Sequence, residues 1–264
     1  MTTTTVLVVN DIHMGSNEAI MPGAIRIVPD NDSSILIKPS GLQKFYFKEW
    51  RKMLKRVGPV DVCIANGDLV EGINRAEGGA GNWTNELDVQ VDEAARLLKM
   101  IGAKQYYGTQ GSPYHTGLNT SCDKLVLDKL DGIFKTDLYL TVNGIRFHCR
   151  HDIGYSGVPH GRATAPNRDL INTKLNSDLY GNVDISLYAH THYSQGVMNY
   201  GQKAFIVPGW KARDGFVRRK SSNAFDNGYG LFRIDDDGYY TYDIYSFRPP
   251  QKYVIDDFTY IEEK

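Results

Sequence analysis

The chain has 264 residues, 41% of them hydrophobic and 23% charged, an ordinary globular composition with enough length for a sizeable core. A formal net charge of −1 excludes a global basic field that would draw in nucleic acid or an anionic membrane, although a local patch would suffice for nucleic acid. No apolar run approaches the roughly 20 residues that span a bilayer, and the opening Thr2-Thr3-Thr4-Thr5 lacks the basic start of a secretory signal. Cys63, Cys122 and Cys149 are odd in number and lack Cys-x-x-Cys spacing, which fits a reducing, cytoplasmic compartment and no disulfide framework.

In chain order, Val6-Leu7-Val8-Val9 reads as a buried strand that ends in Asn10-Asp11-Ile12-His13. Residues 14–40 lack a helical period, and the apolar runs 24–28 and 34–37 around Pro29-Asp30-Asn31-Asp32 predict an inserted hairpin. Leu42, Tyr46, Trp50, Met53, Leu54 and Val57 then share one face of a helix that starts after Pro39-Ser40 and stops at Gly58-Pro59. A second strand at 61–65 leads into Asn66-Gly67-Asp68. The glycine-rich stretch 77–83 lacks the lysine of a phosphate-binding loop and reads as a flexible loop. Asn85 or Asp88 is expected to cap the next helix, with Leu87, Val91, Ala94, Leu98 and Ile101 inward.

A third strand at 104–109 runs into Gln110-Gly111-Ser112-Pro113-Tyr114-His115, followed by a helix over 120–130 with Cys122, Leu125, Val126 and Leu130 inward. Asn143-Gly144 predicts a tight type I′ turn between strands 138–142 and 145–149, with His151 just beyond. Helix 167–180 and strand 185–189 lead to His190-Thr191-His192. Residues 195–264 read as mainly antiparallel strands that complete a second sheet. With no internal repeat and no linker, the whole span 1–264 reads as one domain.

The residues that carry chemistry come directly after the strands: Asp11 and His13, Asp68, His115, His151, then His190 and His192. Five of the seven histidines sit at or just past strand ends, joined by two aspartates. Open α/β sheets place ligands at the carboxyl ends of their strands. Mixed carboxylate and imidazole donors favour Mn²⁺, Zn²⁺ or Fe over all-oxygen Mg²⁺ or Ca²⁺ sites. Six donors are too many for one tetrahedral ion, so two divalent metals, Mn²⁺ foremost, are the economical arrangement.

The order Asp11-Ile12-His13, Gly67-Asp68, Gly111-Ser112-Pro113-Tyr114-His115, His151 and Ala189-His190-Thr191-His192 resembles the motif series of calcineurin-like metallophosphoesterases, over residues 5–210. The resemblance implies an α/β fold, a four-layer sandwich of two mixed β-sheets flanked by helices. It implies that Asp11, His13 and His192 hold one metal, that His151 and His190 hold a second, that Asp68 bridges them, and that His115 protonates the leaving oxygen. Where the family carries Gly-Asn-His-Asp/Glu, this chain has Ser112 near the asparagine position, a candidate replacement ligand beside Gln110, and Pro113-Tyr114 before the histidine. Ala189 stands where the family has glycine.

Asp11-Ile12-His13-Met14-Gly15-Ser16 also resembles the opening motif of the family's DNA-repair exonuclease branch. Gly67-Asp68-Leu69-Val70-Glu71-Gly72 lacks the arginine of the protein phosphatases. Both lean toward phosphodiesters in nucleic acid or nucleotides. A phosphomonoesterase, and a degenerate binding scaffold, are the alternatives. Trp210, Lys211 and Arg213, with Phe216, Arg218, Arg219 and Lys220, form a candidate substrate cluster of cations and stacking rings. Arg150 and Arg162 flank the His151 loop as candidate phosphate clamps. His148, inside a strand, reads as structural. His160 is a candidate substrate contact, and the 14–40 and 72–84 segments are candidates for shaping the pocket.

Overall fold

In the computed structural model, residues 2–27, 34–73, 78–113, 121–220, 225–250 and 253 are described. The first strand, β1 (Thr3–Val9), shows why the fold is layered. Alternation sends Leu7 and Val9 to one side and Val6 and Val8 to the other, and all four are buried. Leu7 and Val9 pack under three helices: α1 (Gly41–Val57), α2 (Leu87–Lys99) and α3 (Cys122–Asp128). Val6 and Val8 face a second sheet through Phe147, Phe205 and Phe232. A strand buried on both faces needs layers on both sides.

The first sheet runs β13-β12-β1-β4-β5-β6. Its members β1, β4 (Val62–Ala65), β5 (Gln105–Thr109) and β6 (Ile133–Lys135) are parallel, while β12 (Asn227–Asp235) and β13 (Tyr240–Phe247) join antiparallel. The second sheet runs β10-β11-β9-β8-β7. In it β8 (Ile145–Cys149), β9 (Ile185–Tyr188) and β11 (Gln202–Ile206) are parallel, with β7 (Leu138–Val142) and β10 (Gln195–Asn199) antiparallel at the edges. On its outer face Leu170 of α4 (Thr164–Leu175) packs against Tyr188, Ala204 and Ile206. Helices, sheet, sheet and helix make four layers, so the fold is a four-layer α/β sandwich with two mixed sheets, the architecture expected from the sequence. No described helix is long and apolar enough to cross a membrane.

The local signals act as physics requires. Ser40 caps α1 reciprocally with Gln43, and Tyr46, Trp50 and Met53 face inward. Asn143 and Gly144 both have positive φ, the type I′ geometry between β7 and β8. Short strands β2 (Ile25–Ile27) and β3 (Ile35–Ile37) pair antiparallel, and the expected turn at 29–32 lies outside the described residues.

Three expectations need correction. Only β10 and β11 of the 195–264 region enter the second sheet, because β12 pairs with β1 over Thr3↔Asp235 to Val8↔Gly230 and carries β13 into the first. A hairpin signal names a strand's neighbour in sequence and not the sheet that it joins. On α3, Cys122 and Val126 are buried and Leu130 packs on the core as expected, but Leu125 is 42% exposed and Leu127 is buried in its stead. Neither Asn85 nor Asp88 caps α2: Glu86 holds the N-cap position without a side-chain bond.

Candidate metal centre

The carboxyl ends of β1, β4, β8 and β9 meet at one edge of the sandwich, and there the chain turns sharply. Asp11, His13, Asp68, His190 and His192 all have left-handed φ, between 46° and 67°. Such values are uncommon outside glycine and cluster at functional sites. Backbone bonds lace the first two turns together: the N–H groups of Asp11, His13 and Met14 donate to the carbonyls of Gly67, Asp68 and Leu69, each at 3.0 Å. Gly67 is required here, since its φ is +79° and a Cβ would come within 2.6 Å of His151 Nδ1.

Two groups of donor atoms converge, Asp11 with His13 and His192, and Asp68 with His151 and His190, each group lying within 4.8 Å of itself. In the first, His13 Nε2 and His192 Nε2 face each other at 3.3 Å, and Asp11 Oδ1 lies 3.5 Å from His192 Nε2 and 3.7 Å from His13 Nε2. In the second, His151 Nε2 is 3.0 Å and His190 Nδ1 3.9 Å from Asp68 Oδ2. The groups adjoin, because Asp11 Oδ1 is also 3.8 Å from His151 Nε2.

The carbonyl of Asn66, 2.7 Å from His151 Nδ1, accepts a hydrogen bond from that nitrogen and so turns Nε2 inward. Glu71 Oε2 does the same for His13, 2.9 Å from its Nδ1. Glu71 is held in turn by buried Lys211, whose Nζ is 2.9 Å from Oε1 and 3.0 Å from Asp214 Oδ2. Asn10 Nδ2 and the His190 N–H donate to Asp11 Oδ2. Asp11 Oδ1 is buried and accepts no hydrogen bond among the described residues.

The charges are strongly perturbed. Burial opposes the charge on Asp11, yet His192, His13 and His151 together hold its carboxyl below the usual carboxylate range. Burial and the Lys211 charge work against protonation of His13, but Glu71 and Asp11 hold it up at about 9. Burial pushes His192 down to about 3 against the pull of Asp11. His151 stands at about 10, where Asp68 and Asp11 overcome burial. Buried imidazole nitrogens and a carboxylate oxygen aimed at shared points, whose protons a divalent cation would displace, are the donor chemistry of such an ion, and the residues present fit one.

Sequence reasoning missed Glu71, Lys211 as its partner, and Asp123. Asp123, buried on α3, accepts from the N–H groups of Leu69 and Gly111 and so clamps the third motif onto the second. Burial and the neighbouring Asp68 push its carboxyl up to about 6. Ser112 donates its backbone N–H to Asp68 Oδ1 at 2.7 Å, and its hydroxyl lies 3.1 Å from Oδ2. A Gly-Asp pair three residues before Glu71 was the only signal for that residue, and nothing marked Asp123 in a helix 55 positions from Asp68.

His115 lies outside the described residues, as do the side chains of Phe216, Arg219 and Lys220. Two substrate candidates are corrected. Trp210 is fully buried against Trp50, ring centroids 4.9 Å apart, because its N–H donates to the Asp11 carbonyl and draws the segment into the core. Lys211 is committed to Glu71 and Asp214 and is not open to a phosphate. Arg213 is half-buried. Arg150 pairs with Asp169 at 3.2 Å, and Arg162 stacks over the Tyr193 ring at 4.5 Å. His148 is buried with Nε2 2.6 Å from Asp137 Oδ1, and His160 is exposed. All three cysteines are free and buried.

No protein-family model and no curated protein sequence matches the chain. Among solved structures, a zinc-complexed Vps29 from Entamoeba histolytica is similar, with 13% identity over 93% of this chain and 100% of that one and a TM-score of 0.46. A novel archaeal phosphodiesterase is 10% identical over 92% of this chain and 100% of that one, at a TM-score of 0.44. A conserved Streptococcus pneumoniae protein described as a predicted phosphoesterase is 13% identical over 92% and 89%, at 0.42.

Proposed function

We propose that the protein is a dinuclear metal-dependent phosphoesterase that hydrolyses phosphodiester bonds, in nucleic acid or nucleotides. The observation that supports this most is the convergence of six acid and imidazole side chains, from four strand ends, on two adjoining points. Asp11, His13 and His192 are assigned to one ion and Asp68, His151 and His190 to the other, with Mn²⁺ the preferred metal. Bound divalent ions supply Lewis acidity, which activates water and offsets charge developing at phosphorus.

The chain's own part is orientation and proton handling. Glu71 and the Asn66 carbonyl hold His13 and His151 in the tautomers that present Nε2 inward. Asp11 Oδ1 reaches nitrogens of both groups, which makes it, together with Asp68, the carboxylate that links them. His190, 36% exposed at its side chain, forms the solvent-facing lip where a phosphate enters. His115 is assigned the proton for the leaving oxygen.

Metal-free protein resupplied with Mn²⁺ is the test. Turnover of bis-p-nitrophenyl phosphate is expected. Turnover of p-nitrophenyl phosphate alone would replace the diesterase by a monoesterase, and inertness toward both would leave a binding scaffold. His115→Ala should keep its metal and lose about 10²–10⁴-fold in rate.

A further inference from the structure

The exposed face of α1 is the most concentrated charge on the molecule. Lys44, Lys48, Arg51, Lys52, Lys55 and Arg56 against Glu49 give this helix a net +5, which leaves −6 for the rest of a chain whose total is −1. Lys44, Lys48, Arg51 and Lys55 recur at intervals of four, three and four, so they form one row along the helix. None of the four is paired with a carboxylate among the described residues, whereas Lys52 bonds Glu49 at 2.6 Å and Arg56 turns away onto the Tyr245 ring. Beside the row lies an open concavity of 450 Å³ lined by these residues, Lys52 and half-buried Phe47.

We infer that this row is a docking track for a nucleic-acid strand, bound through its phosphates, which carries the substrate toward the metal centre. The inference rests on the phosphodiesterase reading above and names its substrate class. Three observations support it. The helix end that carries Lys44 is anchored to the loop after His13: buried Gln43 donates from Nε2 to the Ser16 carbonyl at 3.2 Å, and the Ser16 N–H donates to the His13 carbonyl at 3.1 Å. Its length suits a polyanion, because eleven residues of helix rise about 16 Å and one strand of a duplex presents a phosphate about every 3.4 Å. Its chemistry disfavours a membrane. Interfacial helices insert an apolar face, and the apolar face of α1 is already spent on the core through Leu42, Tyr46, Trp50, Met53 and Val57. Phe47 supplies a ring at the floor for a base to stack on.

The test is fluorescence anisotropy of labelled, phosphorothioate-linked DNA and RNA oligonucleotides across a salt series. The wild-type chain is compared with the Lys44→Gln/Lys48→Gln/Arg51→Gln/Lys55→Gln variant, and circular dichroism checks that it folds. Each lost phosphate contact should flatten the slope of log affinity against log salt by about 0.9, so the variant's slope should be shallower by about 3–4. Hydrolysis of bis-p-nitrophenyl phosphate, too small to reach the row, should be unchanged. Equal slopes with that hydrolysis intact would overturn the track alone, and loss of the small-diester activity from the wild type would overturn the phosphodiesterase reading. Binding to phosphatidylserine vesicles without binding to oligonucleotides would also overturn the track. So would oligonucleotide binding that appears only after Asp256, Asp257, Glu262 and Glu263 are replaced by their amides, which would assign the face to the chain's own C-terminal residues.

Discussion

The two donor groups share an edge of the sandwich but differ in how they are supported. The first, Asp11, His13 and His192, is wholly buried, and its His13 leans on a relay from Glu71 through Lys211 to Asp214. Phe225 stacks on His192 at 4.5 Å and closes that side. The second, Asp68, His151 and His190, opens to solvent at His190, and the hydroxyl of Ser112 shares its carboxylate. Outer partners orient ligands and raise their basicity. On the two-metal proposal, the difference makes the first position one of retention and the second one of exchange with what enters the cleft, and substitutions can separate the two.

The largest effect is expected at the carboxylate that reaches both groups. Asp11→Asn should empty both positions and abolish metal-dependent hydrolysis, and elemental analysis after gel filtration checks it; one ion retained per chain would show that Asp11 serves a single position. Next comes Asp123 behind the second group. In metal-free protein its carboxyl stands at about 6, above its unfolded value, so the native state binds the extra proton. Stability it contributes at pH 4 is lost as pH rises through 6. Relative to Asp123→Asn, the wild type should lose roughly 2 kcal/mol between pH 4 and 6, measured by urea unfolding of chelated protein. A flat difference would mean that Asp123 is ionised throughout.

Smaller effects should fall on one position only. Glu71→Gln should weaken the first ion by about 10–100-fold and leave the second unchanged in calorimetric titration with Mn²⁺. Equal weakening of both would deny that the relay belongs to one group. Smallest, Ser112→Asn offers an amide oxygen to the second position and should tighten it by about tenfold, near 1.4 kcal/mol.

The sequence carried the strand ends well, and with them the six side chains that the fold gathers into two groups, because both are local. Strand β1 announces itself by composition, and Asp11-x-His13 and His190-x-His192 keep their spacing whatever the fold does around them. It carried poorly whatever depended on a distant partner. Trp210 reads as a stacking ring of a substrate cluster, and the Asp11 carbonyl and Trp50, far away in sequence, make it core. Lys211 looked like part of a basic patch because one of its two carboxylates, Glu71, comes from another strand end. Asp123 had no visible role until α3 placed it beneath Gly111. The basic row on α1 was legible as charge, but its isolation from acids and its link to Ser16 needed three dimensions.

The left-handed backbone at five of the six proposed ligands has a bearing on stability. Each such residue costs about 1 kcal/mol or more over glycine. His190→Gly should therefore leave the metal-free protein more stable than His190→Ala by about 1 kcal/mol in thermal melts. The turns therefore hold a standing cost at side chains that carry carboxylates and imidazoles, and on the metal-centre proposal the cation that gathers them offsets it.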